Sequence, residues 1–247
     1  MDVQALLALS GARVSNDEGR LRSARRWPWK KADALLLLDG LVRAYIDQAA
    51  ALVKLGKVSD GRRSLAMAFE RQWEWCEAAG QVNPDYQLVQ ALGAGLLSGA
   101  GDGTPELARR ALATLELQNG IANTADRVEL ACADHGVGAV VAWIGGAGPA
   151  VVEREERLCG SLRGRLKQFR LWADCAVNGV HDDVIGLNES LETLAAFHKS
   201  AAEGNELKNS SDALLYLPGM LLVGFAQMKG MTVRVPSDER WRPELLV

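Results

Sequence analysis

From Ala213 to Ala226 the chain carries no charged side chain, and Leu214, Leu215, Leu217, Leu221, Leu222, Val223 and Phe225 fall on every side of a helical wheel. A helix that is apolar all round must be surrounded by protein or lipid. This stretch is shorter than the roughly 20 apolar residues needed to cross a bilayer. It is therefore predicted to be a central core helix with other helices packed around it. The chain can supply them, because 247 residues that are 48% hydrophobic are enough to bury a large core as one domain.

Reading from the N-terminus, residues 1–30 look like an irregular arm with a short helix at Val3–Leu9. A first long helix is predicted over 31–55, stopped by Gly56, a favourable residue just past a helix end. Ser59 or Asp60 caps the next, whose stripe is Leu65, Phe69, Trp73 and Cys76, with Trp75 at the stripe's edge and Gly80 at the end. The two make an antiparallel hairpin. Asn83 as cap and Pro84 at the first position open a third helix, and Thr104-Pro105-Glu106 restarts another by the same device. A further helix covers about 124–143. The run Gly145-Gly146-Ala147-Gly148-Pro149 is the strongest breaker in the chain.

Beyond it, Leu158, Leu162, Leu166, Phe169, Ala173 and Ala176 step by three and four residues, which predicts one long amphipathic helix over 151–177. Another runs over about 182–201 with Leu187, Leu191, Leu194 and His198 on its stripe. Ser210 or Ser211 then caps the central helix. Thr232-Val233-Arg234-Val235 is extended, as a lone short strand would be, and a last turn docks Trp241, Leu245 and Leu246. No alternating pattern is long enough for a sheet. The expectation is an all-α fold: a single domain over 1–247, built as antiparallel helical hairpins around the apolar C-terminal helix. Its natural joint is 145–149, between 1–144 and 150–247.

A formal charge of −3 argues against a bulk nucleic-acid binder, whose affinity rests on neutralising phosphates. Arg13, Arg20, Arg22, Arg25, Arg26, Lys30 and Lys31 do surround Trp27-Pro28-Trp29 in the pattern of a nucleic-acid arm. The preferred reading is an arm that folds back with its Trp rings in a groove. Cys76, Cys132, Cys159 and Cys175 are scattered through helical patterns, which suits buried thiols in a reducing compartment. The opening MDVQALLALSGAR lacks the positive start and apolar length of a secretory signal, so a cytoplasmic protein is expected.

Candidate chemistry is sparse. The Gly-rich loops at 95–103 and 145–148 are not followed by Lys-Ser or Lys-Thr and follow no strand, so they read as helix punctuation rather than phosphate cradles. Cys132 and His135 have metal-ligand spacing but no second pair to complete a zinc site. The sharpest enzymatic pattern is His135, His181-Asp182 and Asp212. Their order and the segment HDDVIG faintly resemble the HD-type metal phosphohydrolases, in which such residues hold a metal that activates water. Against this, Asp182, Asp183 and Asp212 stand where acidic residues ordinarily start helices, and Leu187 replaces the usual Lys. His198, on a leucine stripe, reads as a buried, hydrogen-bonded imidazole. No cofactor or metal is expected.

A more specific expectation comes from the C-terminal quarter. It contains LETLAAFHK with a helix ending at His198-Lys199, a polar gap, and an apolar helix closed by Lys229-Gly230. The extended Met231–Val235 and Trp241-Arg242-Pro243-Glu244-Leu245-Leu246 follow. In these features residues 191–246 resemble the immunity protein 49 family of bacterial polymorphic-toxin systems. The resemblance implies a non-enzymatic cytoplasmic protein that binds a cognate toxin domain and occludes its active site. The family supplies no motif for the binding surface. Candidates from this chain are the acidic run Asp182, Asp183, Glu189 and Glu192 and the pair Trp27 and Trp29, for which solvation and core packing respectively are the plainer roles. A helical scaffold for some other protein is a third reading.

Overall fold

The structure, a computed structural model, describes residues 2–26, 31–82, 85–99, 101–118, 125–204, 207 and 210–246, with backbone alone for 101, 115–118 and 125–131. The fold is all-α. Among the described residues there are ten α-helices and no strand: α1 Val3–Ala24, α2 Lys31–Lys54, α3 Val58–Ala79, α4 Tyr86–Ser98, α5 Thr104–Gln118, α6 Ala125–Ile144, α7 Pro149–Cys159, α8 Lys167–Val180, α9 Val184–Glu203 and α10 Leu217–Met228. Successive helices pack on one another, α1 through α4 in one group and α5 through α9 in another. Helix α10 joins them, touching α4 on one side and α8 and α9 on the other.

Every residue of α10 from Leu217 to Ala226 is buried, as its all-round apolar wheel requires. Close approach makes this possible. A Cβ on Gly93 of α4 would stand 2.9 Å from the Leu217 carbonyl oxygen, so only glycine lets the two backbones come together there. On the other flank the Trp143 ring meets Phe225 edge-on, with centroids 5.0 Å apart. Side chains from before and after residues 145–149 enter the same buried cluster. After Gly230 (φ 85°) the chain runs without regular structure as far as a single 3-10 turn, Pro243–Leu245, and buries Met231, Val233, Trp241 and Leu245 on the way.

Several sequence expectations are corrected. Residues 3–24 form a long helix rather than an arm, capped by the Asp2 carboxylate, which accepts from the Gln4 and Ala5 amides. Its inner face, Val3, Leu6, Val14, Leu21 and Ala24, is broken by the buried polar residues Ser10 and Asp17, which weakens the apolar stripe in the sequence. Glu18 accepts from Tyr45 Oη at 3.0 Å and from Arg71 Nε at 2.7 Å. Helix α3 starts at Val58 behind Lys57 with no side-chain cap, not at Ser59 or Asp60. The cap of α4 is Asp85, whose carboxylate accepts from Leu88 N at 2.9 Å; Asn83 and Pro84 lie outside the described residues. The helix expected over 151–177 is two, α7 and α8. Gly160 breaks it at φ 64°, ψ −156°, a conformation that essentially only glycine adopts. Ser210 caps a 3-10 turn, Ser211–Ala213, and α10 starts later, at Leu217 with Pro218 in its first turn. The segment 232–235 is extended but pairs with no strand among the described residues.

Candidate functional site

The acidic run of the sequence is assembled at the corner between α8 and α9. Asn178 and Asp183 build that corner: the Asp183 amide donates to the Asn178 carbonyl at 2.9 Å, and Asn178 Nδ2 donates to Ser190 Oγ at 2.9 Å. Between them Asp182 adopts φ 55°, the one positive φ of a non-glycine residue among those described, in a region that Asp tolerates better than most. Asp183 then caps α9, accepting from Gly186 N at 3.0 Å. The corner is pinned to α7 by His181, whose Nε2 lies 2.7 Å from Glu153 Oε1.

Helix α9 buries Leu187, Leu191, Leu194, Ala195 and His198. The opposite face is exposed and carries Ile185, Glu189, Glu192 and Ala196 at steps of four, three and four, one stripe on a 3.6-residue wheel. Ile185 is 75% exposed, and the carboxylates before it (Asp182, Asp183) and after it (Glu189, Glu192) along the chain are exposed as well. Among the described residues none of Asp182, Asp183, Glu189 or Glu192 is ion-paired. Acids elsewhere on the surface do find cations, as Glu106 does with Arg109 and Arg110, and Glu74 with Arg71. The sequence reading named the four acids and missed Ile185. Its place four residues before Glu189 and two before the buried Leu187 was the signal. Trp27 and Trp29 lie outside the described residues.

The residues of the phosphohydrolase pattern go to separate partners. His135 Nδ1 is 2.6 Å from Glu155 Oε2, His181 meets Glu153, and Asp212 accepts from Tyr86 Oη at 2.6 Å and Gln90 Nε2 at 2.9 Å. Burial alone would raise the Glu155 carboxyl, but hydrogen bonds from His135 and Arg154 outweigh it and hold the group below its ordinary range. No group of three or more His, Cys, Asp or Glu among the described residues stands as a metal-ligand set. All four cysteines are free thiols. Burial pushes Cys76 up to about 11 and Cys159 up to about 12, so neither is an activated nucleophile.

A second polar feature was not foreseen. A cleft of about 510 Å³ opens between α2, α4 and the Ser211–Ala213 turn, lined by Asp47, Asp85, Tyr86, Gln90 and Asp212 with Arg13 and Arg43 at its edge. Burial raises the carboxyls of Asp47, Asp85 and Asp212. Repulsion from Asp39 adds to the rise at Asp85, and repulsion from Asp47 adds to it at Asp212. Its hydrogen bonds clasp the turn onto α4, a structural task. Its only sequence signals are polar residues, Asp47 and Gln90, inside otherwise apolar helix stretches.

No family model matches this chain, and neither does any curated protein or solved structure. No helix among the described residues is long and apolar enough to cross a membrane.

Proposed function

We propose that this chain is a bacterial immunity protein that binds a cognate toxin domain in the cytoplasm and neutralises it by covering the toxin's active site. One observation carries the reading beyond the resemblance of residues 191–246: the outer stripe of α9, where Ile185 stands exposed amid Asp182, Asp183, Glu189 and Glu192. An exposed apolar side chain on a helix face that carries charge of one sign, with no ion pair among the described residues, fits a partner with a basic face and an apolar notch. Complementary charge speeds capture and sets the orientation of docking. An apolar anchor at the centre of the contact supplies the slow release. A toxin that acts on an anionic substrate such as nucleic acid has a basic active-site rim, so an acidic stripe laid over it also closes the site.

The test is co-expression with the polymorphic toxin encoded by the neighbouring gene. Wild-type chain restores growth and co-purifies with the toxin domain. Failure of both, with that cognate toxin present, removes the immunity reading. Rescue that survives Ile185→Asp combined with Glu189→Lys and Glu192→Lys would move the interface off α9 and leave the activity standing.

A further inference from the structure

The C-terminal segment closes over α9 and the entry to α10 through a joint that is unusually poor in polar partners. His198 of α9 is 2% exposed, and its ring stacks on Tyr216 with centroids 3.8 Å apart and planes 25° from parallel. Tyr216 is fixed from behind, its hydroxyl accepting from Trp172 Nε1 at 2.8 Å. The far end of the segment lies on the same ring. Trp241 meets Tyr216 edge-on at 5.6 Å, and the Tyr216 amide donates to the Arg240 carbonyl at 3.0 Å. Within this joint His198 Nδ1 and Nε2, Arg240 Nε and Trp241 Nε1 are all buried with no hydrogen-bond partner in the protein. Buried polar groups are normally paired, so four in one place mark a weak seam.

We infer that residues 229–246 form a proton-released strap: a proton on His198 detaches the segment from α9 and Tyr216 while the helices beneath stay folded. The charges around the ring make the direction unambiguous. From the strap itself come Arg240 and Asp238, and Asp238 is already engaged, its Oδ2 2.6 Å from Arg240 Nη1. From the entry to α10 comes Tyr216, on whose hydroxyl Asp212 and Cys175 act in turn. On α9 the neighbouring Lys199 points to solvent and pairs with Glu203. An imidazolium would thus arise in a dry site beside a guanidinium, and the one carboxylate that acts on it, Asp238, is already bound to that guanidinium.

Burial, with Arg240 second, holds the imidazole at about 4, below its ordinary value of 6.5. The closed strap therefore has its full stability above 6.5 and loses it as the pH falls from there toward 4. The opening equilibrium should rise by roughly 20-fold between pH 7 and pH 5 if the released ring titrates normally. The remaining ties of the strap do not share this dependence over that range: Arg62 Nη2 donates to the Glu244 carbonyl at 2.9 Å and the Arg234 amide to Asn188 Oδ1 at 2.8 Å.

Amide hydrogen exchange on the full chain, expressed as protection over the intrinsic rate at each pH, tests this directly. Strap amides such as Arg234, Trp241 and Leu245 should lose roughly 20-fold protection from pH 7 to pH 5 while α10 amides keep theirs. His198→Phe, which keeps the ring stack and removes the proton, should abolish the loss, and Lys54→Met, which removes the Glu239 pair, should not. Strap protection that stays constant, falls in step with α10, or falls equally in His198→Phe overturns the inference. If His198→Phe does not fold, imidazole NMR on the wild-type chain decides. One of the three histidines titrating far below 6.5, together with strap amides that lose protection while α10 amides keep theirs, upholds the strap, and all three titrating near 6.5 sinks it.

Discussion

Asp212 is 5% exposed, and each of its oxygens is taken: Tyr86 Oη and Ser210 Oγ donate to Oδ2, Gln90 Nε2 to Oδ1. Even so, burial wins over these three donors and its carboxyl lies above the ordinary range. A raised acid favours the folded state at low pH and loses that contribution as the pH rises through the folded value. Removing a donor should make this worse. Tyr86→Phe is expected to destabilise the protein by about 1–3 kcal/mol, with a larger deficit in urea denaturation at pH 8 than at pH 5. Asp212→Asn should behave in the opposite way. The hydroxyls of Tyr86 and Ser210 can turn to accept from an amide, so this variant should be at least as stable as wild type at pH 8. A large loss of stability at pH 8 in Asp212→Asn would mean that the charged form is the one the clasp requires.

Helix ends and close crossings are where single residues govern whole elements. A Cβ on Gly136 of α6 would stand 2.6 Å from the Phe169 carbonyl oxygen and 2.7 Å from its Cβ, contacts with the main chain of α8 that no rotamer change relieves. Gly136→Ala is therefore expected to cost about 1–3 kcal/mol by forcing α6 and α8 apart, read as a lower denaturation midpoint with unchanged slope. The same logic explains which elements can be read from the sequence. Helices α2, α3 and α4 combine an apolar stripe with a glycine just past the end, and Gly56, Gly80 and Gly99 do take positive φ there (77°, 76° and 84°). In helix α1 the inward stripe Val3, Leu6, Val14, Leu21 and Ala24 is interrupted by Ser10 and Asp17, which are satisfied within the helix, while Glu18 beside it reaches Tyr45 and Arg71 far along the chain. The break between α7 and α8 was hidden because the apolar spacing runs on across Gly160, and periodicity outweighed one glycine. The exposure of Asp182, Asp183, Glu189 and Glu192 follows from the Leu187–Leu191–Leu194 stripe. The cleft around Asp212 joins α2, α4 and the 210–213 turn, a meeting set by tertiary packing that local pattern does not carry.

At the scale of the whole molecule, one buried apolar cluster runs from α1 to the C-terminal segment, α10 is buried all round within it, and charge is presented outward. These two parts should respond oppositely to mutation. Trp241, 2% exposed against Tyr216, is part of that cluster, and Trp241→Ala should cost about 3–5 kcal/mol. The outer stripe of α9 makes no described ion pair or core contact that such a change would break. Replacing Ile185, Glu189 and Glu192 together by Asp, Lys and Lys should therefore shift stability by no more than about 0.5 kcal/mol per site. The exchange removes an exposed apolar group and reverses two unpaired charges, so the core and its hydrogen bonds are untouched. If the chain has the proposed immunity role and the stripe is its binding face, this variant melts like wild type yet fails to protect against the toxin, and the association rate of the wild-type pair falls steeply with added salt. Calorimetry of the variant and stopped-flow mixing at two ionic strengths give both readings from the same preparations. Protection retained at wild-type level, together with an association rate indifferent to salt, would place the interface on a different and less charged surface.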